Sequence, residues 1–208
     1  HYGRTLYTEP YALACALGAY ALFVGKRPVV LAGVLLALGS LMKGTYVVLA
    51  LPLGAALLWR RDLKGLLLFG APIAVALAGN LAINRVMFGS VSRGPQQYVF
   101  GSLLANLRGI AIDSEHGLLP YAPVVLCALW GWPSLARGRR WDALLPAAAF
   151  LLVFFVTVNY AGWHGGYCFG PRYLVPVLPF LMLGLLHRLS VRPLRPWHAL
   201  DIVVLGAT

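Results

Sequence analysis

The sequence predicts an all-α fold, a polytopic transmembrane helical bundle of about seven to eight spans. Its 208 residues are 60% hydrophobic and only 11% charged, whereas about a quarter of the residues in soluble domains are charged. Apolar runs of about the 20-residue length that a bilayer requires recur along the chain. They are apolar on every side, as in VVLAGVLLALGSLM (29–42), whereas the spans of a β-barrel alternate apolar and polar residues.

The predicted spans follow one another with short charged or glycine-containing breaks. In chain order they cover 10–24, 29–42, 46–58, 65–83, 118–135, 144–160 and 173–186, and a last one starts near 199. Lys43, Gly44 and Thr45 separate the second span from the third. The longest hydrophilic segment covers 84–117. We expect residues 1–208 to form a single transmembrane domain that is a fragment of a longer protein, because the chain opens without methionine and stops inside an apolar run.

The basic residues predict the topology. The net charge is +11, but the lysines and arginines are scattered among short loops, which is typical of topology signals and not of a nucleic-acid surface. One side of the membrane receives eleven of them, Lys26, Arg27, Arg60, Arg61, Lys64, Arg137, Arg139, Arg140, Arg188, Arg192 and Arg195. The other receives six, Arg4, Lys43, Arg85, Arg93, Arg108 and Arg172. Because short cytoplasmic loops carry the excess, the side with six is predicted to be extracytoplasmic.

Several site classes are absent from the sequence. Cys15, Cys127 and Cys168 show neither a CxxC pair nor a ligand spacing, so no disulfide framework or zinc site is indicated. The chain also lacks the phosphate-cradling GxxxxGK[ST] loop and a dinucleotide fingerprint.

The stretch AGWHGGYCFGPRYL (161–174) is the strongest candidate site. Gly165, Gly166 and Gly170 permit backbone conformations that other residues avoid, and Pro171 fixes the turn that follows. The remaining side chains suit an anionic, ring-containing ligand, since aromatic faces bind sugars and an arginine binds phosphate. They are Trp163, His164, Tyr167, Arg172 and Tyr173. The alternative is an interfacial aromatic belt with one snorkelling arginine.

Two charged residues stand beside the first three spans. Lys43 interrupts an apolar run and either faces a polar cavity or ends a span and snorkels. Glu9 lies at the start of the first span, where Thr8 or Glu9 itself is also able to cap a helix ahead of Pro10. Both readings stay open for each residue.

The DSEHG segment (113–117) supplies the remaining candidates. Asp113, Glu115 and His116 are able to ligate a divalent ion or relay a proton, although their loose spacing favours a solvated loop. His164 is a better candidate ligand contact than His187 or His198, which lie in cytoplasmic basic loops. We expect the charged and histidine candidates of the extracytoplasmic side to converge on one cavity.

Four stretches, taken in order, resemble a known family. WHGGYCFGPRYLVPVLPFL (163–181) is similar to the W-x-G-G-x-x-F/W-G-P-R-Y-L-x-P-x-L-P signature of bacterial GT-C integral-membrane glycosyltransferases, relatives of protein O-mannosyltransferases and of the lipid A aminoarabinose transferase. TEPYALACALGAYAL (8–22), LLALGSLMKGTYVVLALP (35–52) and GIAIDSEHGLLPYAPVVLCAL (109–129) resemble further segments of that family. The resemblance covers nearly all of 5–187 and places the chain in the C-terminal portion of the family's transmembrane region.

The resemblance implies a transferase that moves a sugar from a polyprenyl-phosphate carrier to a protein, lipid or glycan acceptor outside the cytoplasm. Lys43 and Arg172 would hold the donor phosphate, and Glu9 would assist the acidic site or a metal. The residues that would line the sugar or acceptor site are Trp163, His164, Tyr167 and Tyr173. The family's catalytic base precedes the TEP span, so the first catalytic loop is expected to be missing and the fragment alone inactive. DSEHG also replaces the usual SPGRG-like sequence, which weakens any role for Asp113.

The residues suit that chemistry, because displacement at an anomeric carbon needs a base and a group that stabilises the departing phosphate.

The expected location is the inner (plasma) membrane, multi-pass, with lipids as neighbours and no nucleic-acid partner. The sequence establishes no cofactor, and a divalent cation is the one candidate. The alternatives are a transporter or flippase for a lipid-linked or anionic substrate and a non-catalytic scaffold. No convincing internal repeat supports a transporter.

Overall fold

The computed structural model describes residues 8–91, 98–138, 140–166 and 170–191. These residues form α-helices, two 3₁₀ helices and one isolated antiparallel bridge between Phe100 and Tyr160, with no β-strand among them. The predicted all-α class is confirmed. The chain divides between Tyr98 and Val99 into two compact units, which are described in turn.

The first unit follows the predicted spans closely. Its helices are α1 (Glu9–Val24), α2 (Val29–Met42), a 3₁₀ helix (Gly44–Leu49), α3 (Ala50–Trp59) and α4 (Leu63–Phe88). Asp62 caps α4 by accepting a hydrogen bond from the Gly65 N–H at 2.8 Å. The helix runs five residues beyond the predicted end at 83, and Gly89 (φ 70°) then supplies the left-handed conformation that commonly ends helices.

Small residues let α2 pack closely within the first unit. A Cβ atom at Gly33 would overlap the main chain of Phe69 in α4, so these two helices approach at backbone distance. On the other side, the buried Tyr20 hydroxyl of α1 donates to the Leu49 carbonyl at 3.1 Å. The 3₁₀ helix is thereby fixed to α1.

The second unit departs further from the predicted spans. It contains α5 (Leu103–Ile112), α6 (Leu118–Tyr121), α7 (Val124–Gly138), α8 (Arg140–Val158), a second 3₁₀ helix (Arg172–Leu174) and α9 (Leu178–Val191). Helix α5 lies in the segment that was predicted to be hydrophilic. The polar residues of this segment made its average composition hydrophilic, although one side of the helix, which includes Ile110, is buried. The predicted span 118–135 is two helices, since Pro123 disfavours helical geometry at Ala122 (φ −143°). The predicted span near 199 lies outside the described residues.

Helices α7 and α9 meet at a pair of glycines. A Cβ atom at Gly131 would overlap the backbone of Gly184, and a Cβ at Gly184 would overlap the Ala128 carbonyl. The Trp132 indole N–H donates to the Leu181 carbonyl across the same contact at 2.9 Å. Close approach through small residues is a usual way for apolar helices to associate.

Within the described part of the chain, α4 alone passes a test of length and composition for a membrane-crossing helix, with 26 residues and a mean hydropathy of 2.1. Seven shorter apolar helical stretches have 10–17 residues. The finer prediction of seven to eight spans is taken up below as a proposal.

The contact between Gly131 and Gly184 predicts that Gly131→Ala destabilises the chain by about 1–3 kcal/mol. The added methyl group overlaps main-chain atoms of Gly184, which cannot move away by rotating a side chain. Unfolding of the purified chain by sodium dodecyl sulfate, followed by circular dichroism, measures the effect. Gly79→Ala in α4 is the matched control, since nothing lies within 4 Å of its added Cβ, and it should be neutral or up to about 1 kcal/mol stabilising. Equal stabilities of the two variants would contradict the close approach.

Candidate functional site

The glycine-rich loop between α8 and α9 has the backbone that its sequence predicts. Gly165, Gly166 and Gly170 have φ angles of 76°, 83° and 78°, the left-handed region that other residues rarely adopt. These three glycines therefore adopt backbone conformations of the kind that the sequence analysis expected them to permit. Tyr167, a predicted sugar contact, lies outside the described residues.

Main-chain and amide contacts anchor the start of this loop. The Ala161 N–H donates to the Val99 carbonyl and the Gly101 N–H donates to the Asn159 carbonyl, both at 2.8 Å. The buried Asn106 side chain of α5 donates to the carbonyls of Val158 (2.8 Å) and Tyr160 (3.1 Å). Sequence reasoning missed Asn106, although a polar residue on the buried side of a ten-residue amphipathic helix was a usable signal.

The DSEHG segment forms a tight turn around Asp113. Its carboxylate Oδ1 accepts hydrogen bonds from the N–H groups of Glu115 (2.9 Å) and His116 (2.8 Å) and lies 3.3 Å from His116 Nδ1. The backbone N–H of Glu115, then that of His116, and then the His116 side chain lower the pKa of Asp113 below its ordinary value. The carboxylate therefore organises the turn in its ionised form.

This turn holds the glycine-rich loop. His116 Nε2 lies 3.3 Å from the Gly166 carbonyl, and the Gly170 N–H donates to the Glu115 carbonyl at 2.8 Å. The predicted candidates of 113–117 and 161–172 are thus neighbours. The predicted topology led us to expect these segments to lie together, but it did not predict the individual contacts, which join residues about 50 positions apart.

Three rings form a cluster where the turn meets the loop. The His116 ring centroid lies 6.1 Å from that of Trp163 and 5.7 Å from that of His164, and the Trp163 and His164 centroids are 6.0 Å apart, all edge to face. Trp163 rests on Gly109 of α5, where any Cβ would overlap the indole. His164 is exposed, and its Nδ1 accepts the Gly166 N–H at 3.1 Å. Its remaining ring nitrogen, Nε2, therefore carries the proton in the neutral form.

Arg172 lies against the loop that it follows. Its guanidinium Nη1 donates to the Gly165 carbonyl in a long contact of 3.5 Å, and a Cβ at Gly165 would sit 3.3 Å from the Arg172 Cβ. The side chain is partly exposed. Tyr173 is only 9% exposed, and its ring centroid lies 6.0 Å from that of Tyr160. Of these neighbours, Arg172 has the accessible charge and Tyr173 packs inside.

Glu9 and Lys43 form a second cluster, within the first unit. Lys43 Nζ lies 3.8 Å from Glu9 Oε1, and the two side chains are 17% and 4% exposed. Lys43 has an extended backbone (φ −155°) between α2 and the 3₁₀ helix, and its Nζ lies 5.7 Å from the Tyr46 ring centroid. Thr8 occupies the N-cap position of α1 without a side-chain cap bond. An ion pair with Glu9 therefore accounts for Lys43 better than snorkelling does.

The metal prediction has no geometric support among the residues that the structure describes. There, no group of three or more histidine, cysteine, aspartate or glutamate side chains is placed to hold a metal ion. Asp113 and His116 contact each other, whereas Glu115 is exposed and contributes main-chain contacts to the turn.

Comparison with known proteins does not assign the chain to a family. No protein-family model, no curated protein and no solved structure matches the chain. The resemblance to GT-C glycosyltransferases stays a prediction, carried by the sequence motifs.

The lowered pKa of Asp113 predicts an acid transition in the turn. The hydrogen bonds to its carboxylate are fully favoured above the ordinary aspartate pKa and are lost as pH falls below that value and through the lowered pKa. The amide chemical shifts of Glu115 and His116, followed by NMR from pH 6 downward, should show this transition. Asp113→Asn keeps an oxygen acceptor that does not titrate, so the transition should disappear. An unchanged transition in that variant would contradict the assignment.

Proposed function

We propose that the chain is part of a membrane glycosyltransferase that moves a sugar from a polyprenyl-phosphate-linked donor to an acceptor on the extracytoplasmic side. One observation carries the proposal: Arg172 contacts Gly165 of the same glycine loop that contributes Trp163 and His164 to the ring cluster with His116. A cation and aromatic rings held by one loop suit a ligand that joins a phosphate to a sugar ring. The four ordered motifs support the same function.

The apolar surface of the helices supports a multi-pass location in the inner membrane. In α4, Val75 and Val86 are 73% and 85% exposed, and only 17% of its most apolar window is buried. Lipid would cover such surface, whereas water would not favour its exposure. Helices of 14–16 residues such as α1 and α2 measure about 21–24 Å. Bilayer thinning and snorkelling flanks accommodate spans somewhat shorter than the hydrocarbon core.

Arg172 has the chemistry for the departing carrier phosphate. Its guanidinium stays charged at any physiological pH and offers a planar fork of donors that matches phosphate oxygens. The contact to Gly165 is long at 3.5 Å, and a bound phosphate would accept charge-assisted hydrogen bonds from the guanidinium. Negative charge grows on the phosphate as the glycosidic bond breaks, and a positioned cation lowers that barrier.

The ring cluster supplies the second half of the proposed donor site. The Trp163 indole packs directly on the backbone of Gly109, and this contact fixes the orientation of the ring. The exposed His164 has its Nδ1 occupied by Gly166, so in the neutral form Nε2–H is the group that a sugar hydroxyl would meet. We propose that Trp163 and His164 contact the sugar, with Tyr167 as a further candidate.

A transporter or flippase of a lipid-linked anion is the second candidate function. One observation favours it: Lys43 stands at a break between α2 and the 3₁₀ helix, paired with a buried carboxylate. Interrupted helices that carry charge are typical of transporter substrate sites.

We predict that Arg172→Gln lowers sugar transfer by roughly 100-fold, the usual effect of removing one group that stabilises transition-state charge. The measurement uses the full-length protein in bilayer vesicles supplied with a radiolabelled polyprenyl-phosphate sugar. Arg188→Gln is the matched control, because Arg188 stacks on Trp130 (3.4 Å from Cζ to the ring centroid), outside the proposed site. Transfer in the control should stay near the wild-type rate.

The location of the label separates the competing functions. Label on an acceptor, with release of the polyprenyl phosphate, supports the transferase. Label that crosses the bilayer still attached to its carrier supports the flippase. Transfer that survives Arg172→Gln at the wild-type rate contradicts the proposed donor site.

A further inference from the structure

Helices α1 and α3 of the first unit end with the same hydrogen-bond pattern. After α1, the N–H groups of Lys26 and Arg27 donate to carbonyls three and five residues earlier in the chain, at 3.2 and 3.0 Å. After α3, the N–H groups of Arg61 and Asp62 donate three and five residues back, at 2.9 and 3.0 Å. Such a helix end places one residue in the left-handed conformation. In both turns that residue is basic, Lys26 with a φ of 54° and Arg61 with a φ of 56°.

These two positions are unusual places for a basic side chain. Glycine commonly occupies them, because a Cβ atom in the left-handed conformation is unfavourable. Within the part of the chain that the structure describes, Lys26 and Arg61 are the only residues other than glycine with a positive φ. A cation is attracted to the C-terminal end of a helix, but a basic residue in the last helical turn would gain that attraction without the conformational cost. The stability of the helices therefore does not account for either residue.

A contact between the two turns brings their charges to one end of the first unit. The Arg60 Cζ atom lies 5.3 Å from the ring centroid of Phe23, which is buried in the last turn of α1. The two turns carry five exposed basic residues, Lys26, Arg27, Arg60, Arg61 and Lys64. The single acidic residue between them, Asp62, caps α4. With five positive charges and one negative charge, this end has a net charge of +4.

Exposed apolar side chains adjoin these charges. Trp59 is 76% exposed, and its neighbours Leu58 and Leu63 are 59% and 62% exposed. Cations beside a tryptophan and aliphatic side chains suit the boundary between the headgroups and the acyl chains of a bilayer. A nucleic acid or an acidic protein would neutralise the charge, but its polar surface would not favour contact with the apolar side chains. The mixed surface therefore favours a lipid.

We propose that the two turns, 25–27 and 60–64, together bind the phosphates of anionic phospholipids in the cytoplasmic leaflet. The inference rests on the multi-pass location given under the proposed function and not on sugar transfer. The left-handed conformation of Lys26 and Arg61 fixes where these two charges leave the backbone, and the contact between Arg60 and Phe23 holds the turns side by side. Negatively charged headgroups are attracted to such clusters at the membrane surface.

The test is native mass spectrometry of the full-length protein in neutral detergent micelles, titrated with phosphatidylglycerol or with phosphatidylcholine of the same acyl chains. Wild type should retain phosphatidylglycerol at lower lipid concentrations than phosphatidylcholine. The double variant Lys26→Gln with Arg61→Gln should bind phosphatidylglycerol roughly 20-fold more weakly, since each basic residue near an anionic surface contributes roughly fivefold. Its binding of phosphatidylcholine should not change.

A second double variant separates charge from folding. Lys26→Gly with Arg61→Gly removes the same charges and also relieves the left-handed backbone. It should lose phosphatidylglycerol binding to the same extent and yet unfold at a higher temperature than wild type. Arg85→Gln is the matched control, because Arg85 is exposed in the last turn of α4, at the opposite end of that helix. It should bind both lipids as wild type does.

The outcomes decide the inference independently of sugar transfer. Equal retention of the two lipids by wild type overturns it, and so does wild-type binding of phosphatidylglycerol by either double variant. Displacement of phosphatidylglycerol by an equimolar amount of inorganic phosphate would show a site for soluble anions and overturn the assignment to a phospholipid. The titration contains no sugar donor, so a failure of sugar transfer overturns the proposed transferase alone.

Discussion

The contact between the Asp113 turn and the glycine-rich loop is the interaction on which the candidate site depends. Gly165 and Gly166 follow a path that no helix or strand stabilises, so the loop needs partners from elsewhere in the chain. The Asp113 carboxylate shapes the turn, and His116 and the Glu115 carbonyl then hold Gly166 and Gly170. Arg172 and the three rings take their positions from that arrangement, and the proposed chemistry follows from those positions.

The buried charge of the first unit also needs a partner from elsewhere in the chain. An apolar chain that buries a carboxylate has to pair it, because an isolated buried charge is very costly. Glu9 meets this need through Lys43, yet at a distance that leaves the lysine accessible.

Local patterns predicted much of the fold, and long-range contacts account for what they missed. The positive φ angles of Gly165, Gly166 and Gly170 follow from composition, and α1 and α2 follow from continuous apolar runs. Asn106 bonds to a residue 52 positions away, and Glu9 pairs with Lys43 across two helices. No local periodicity encodes such partners. Helix α5 was missed because its polar residues hid the buried side.

The most direct measurement of the central claim, an extracytoplasmic position of the candidate site in a multi-pass membrane protein, is cysteine accessibility in intact cells. His164→Cys and Arg61→Cys are made in the full-length protein with Cys15, Cys127 and Cys168 replaced by serine, and each is exposed to a membrane-impermeant maleimide. We predict labelling at position 164 in intact cells and at position 61 only after permeabilisation. Labelling of both from the same side would contradict the proposed topology and, with it, the assignment of the site to the extracytoplasmic face.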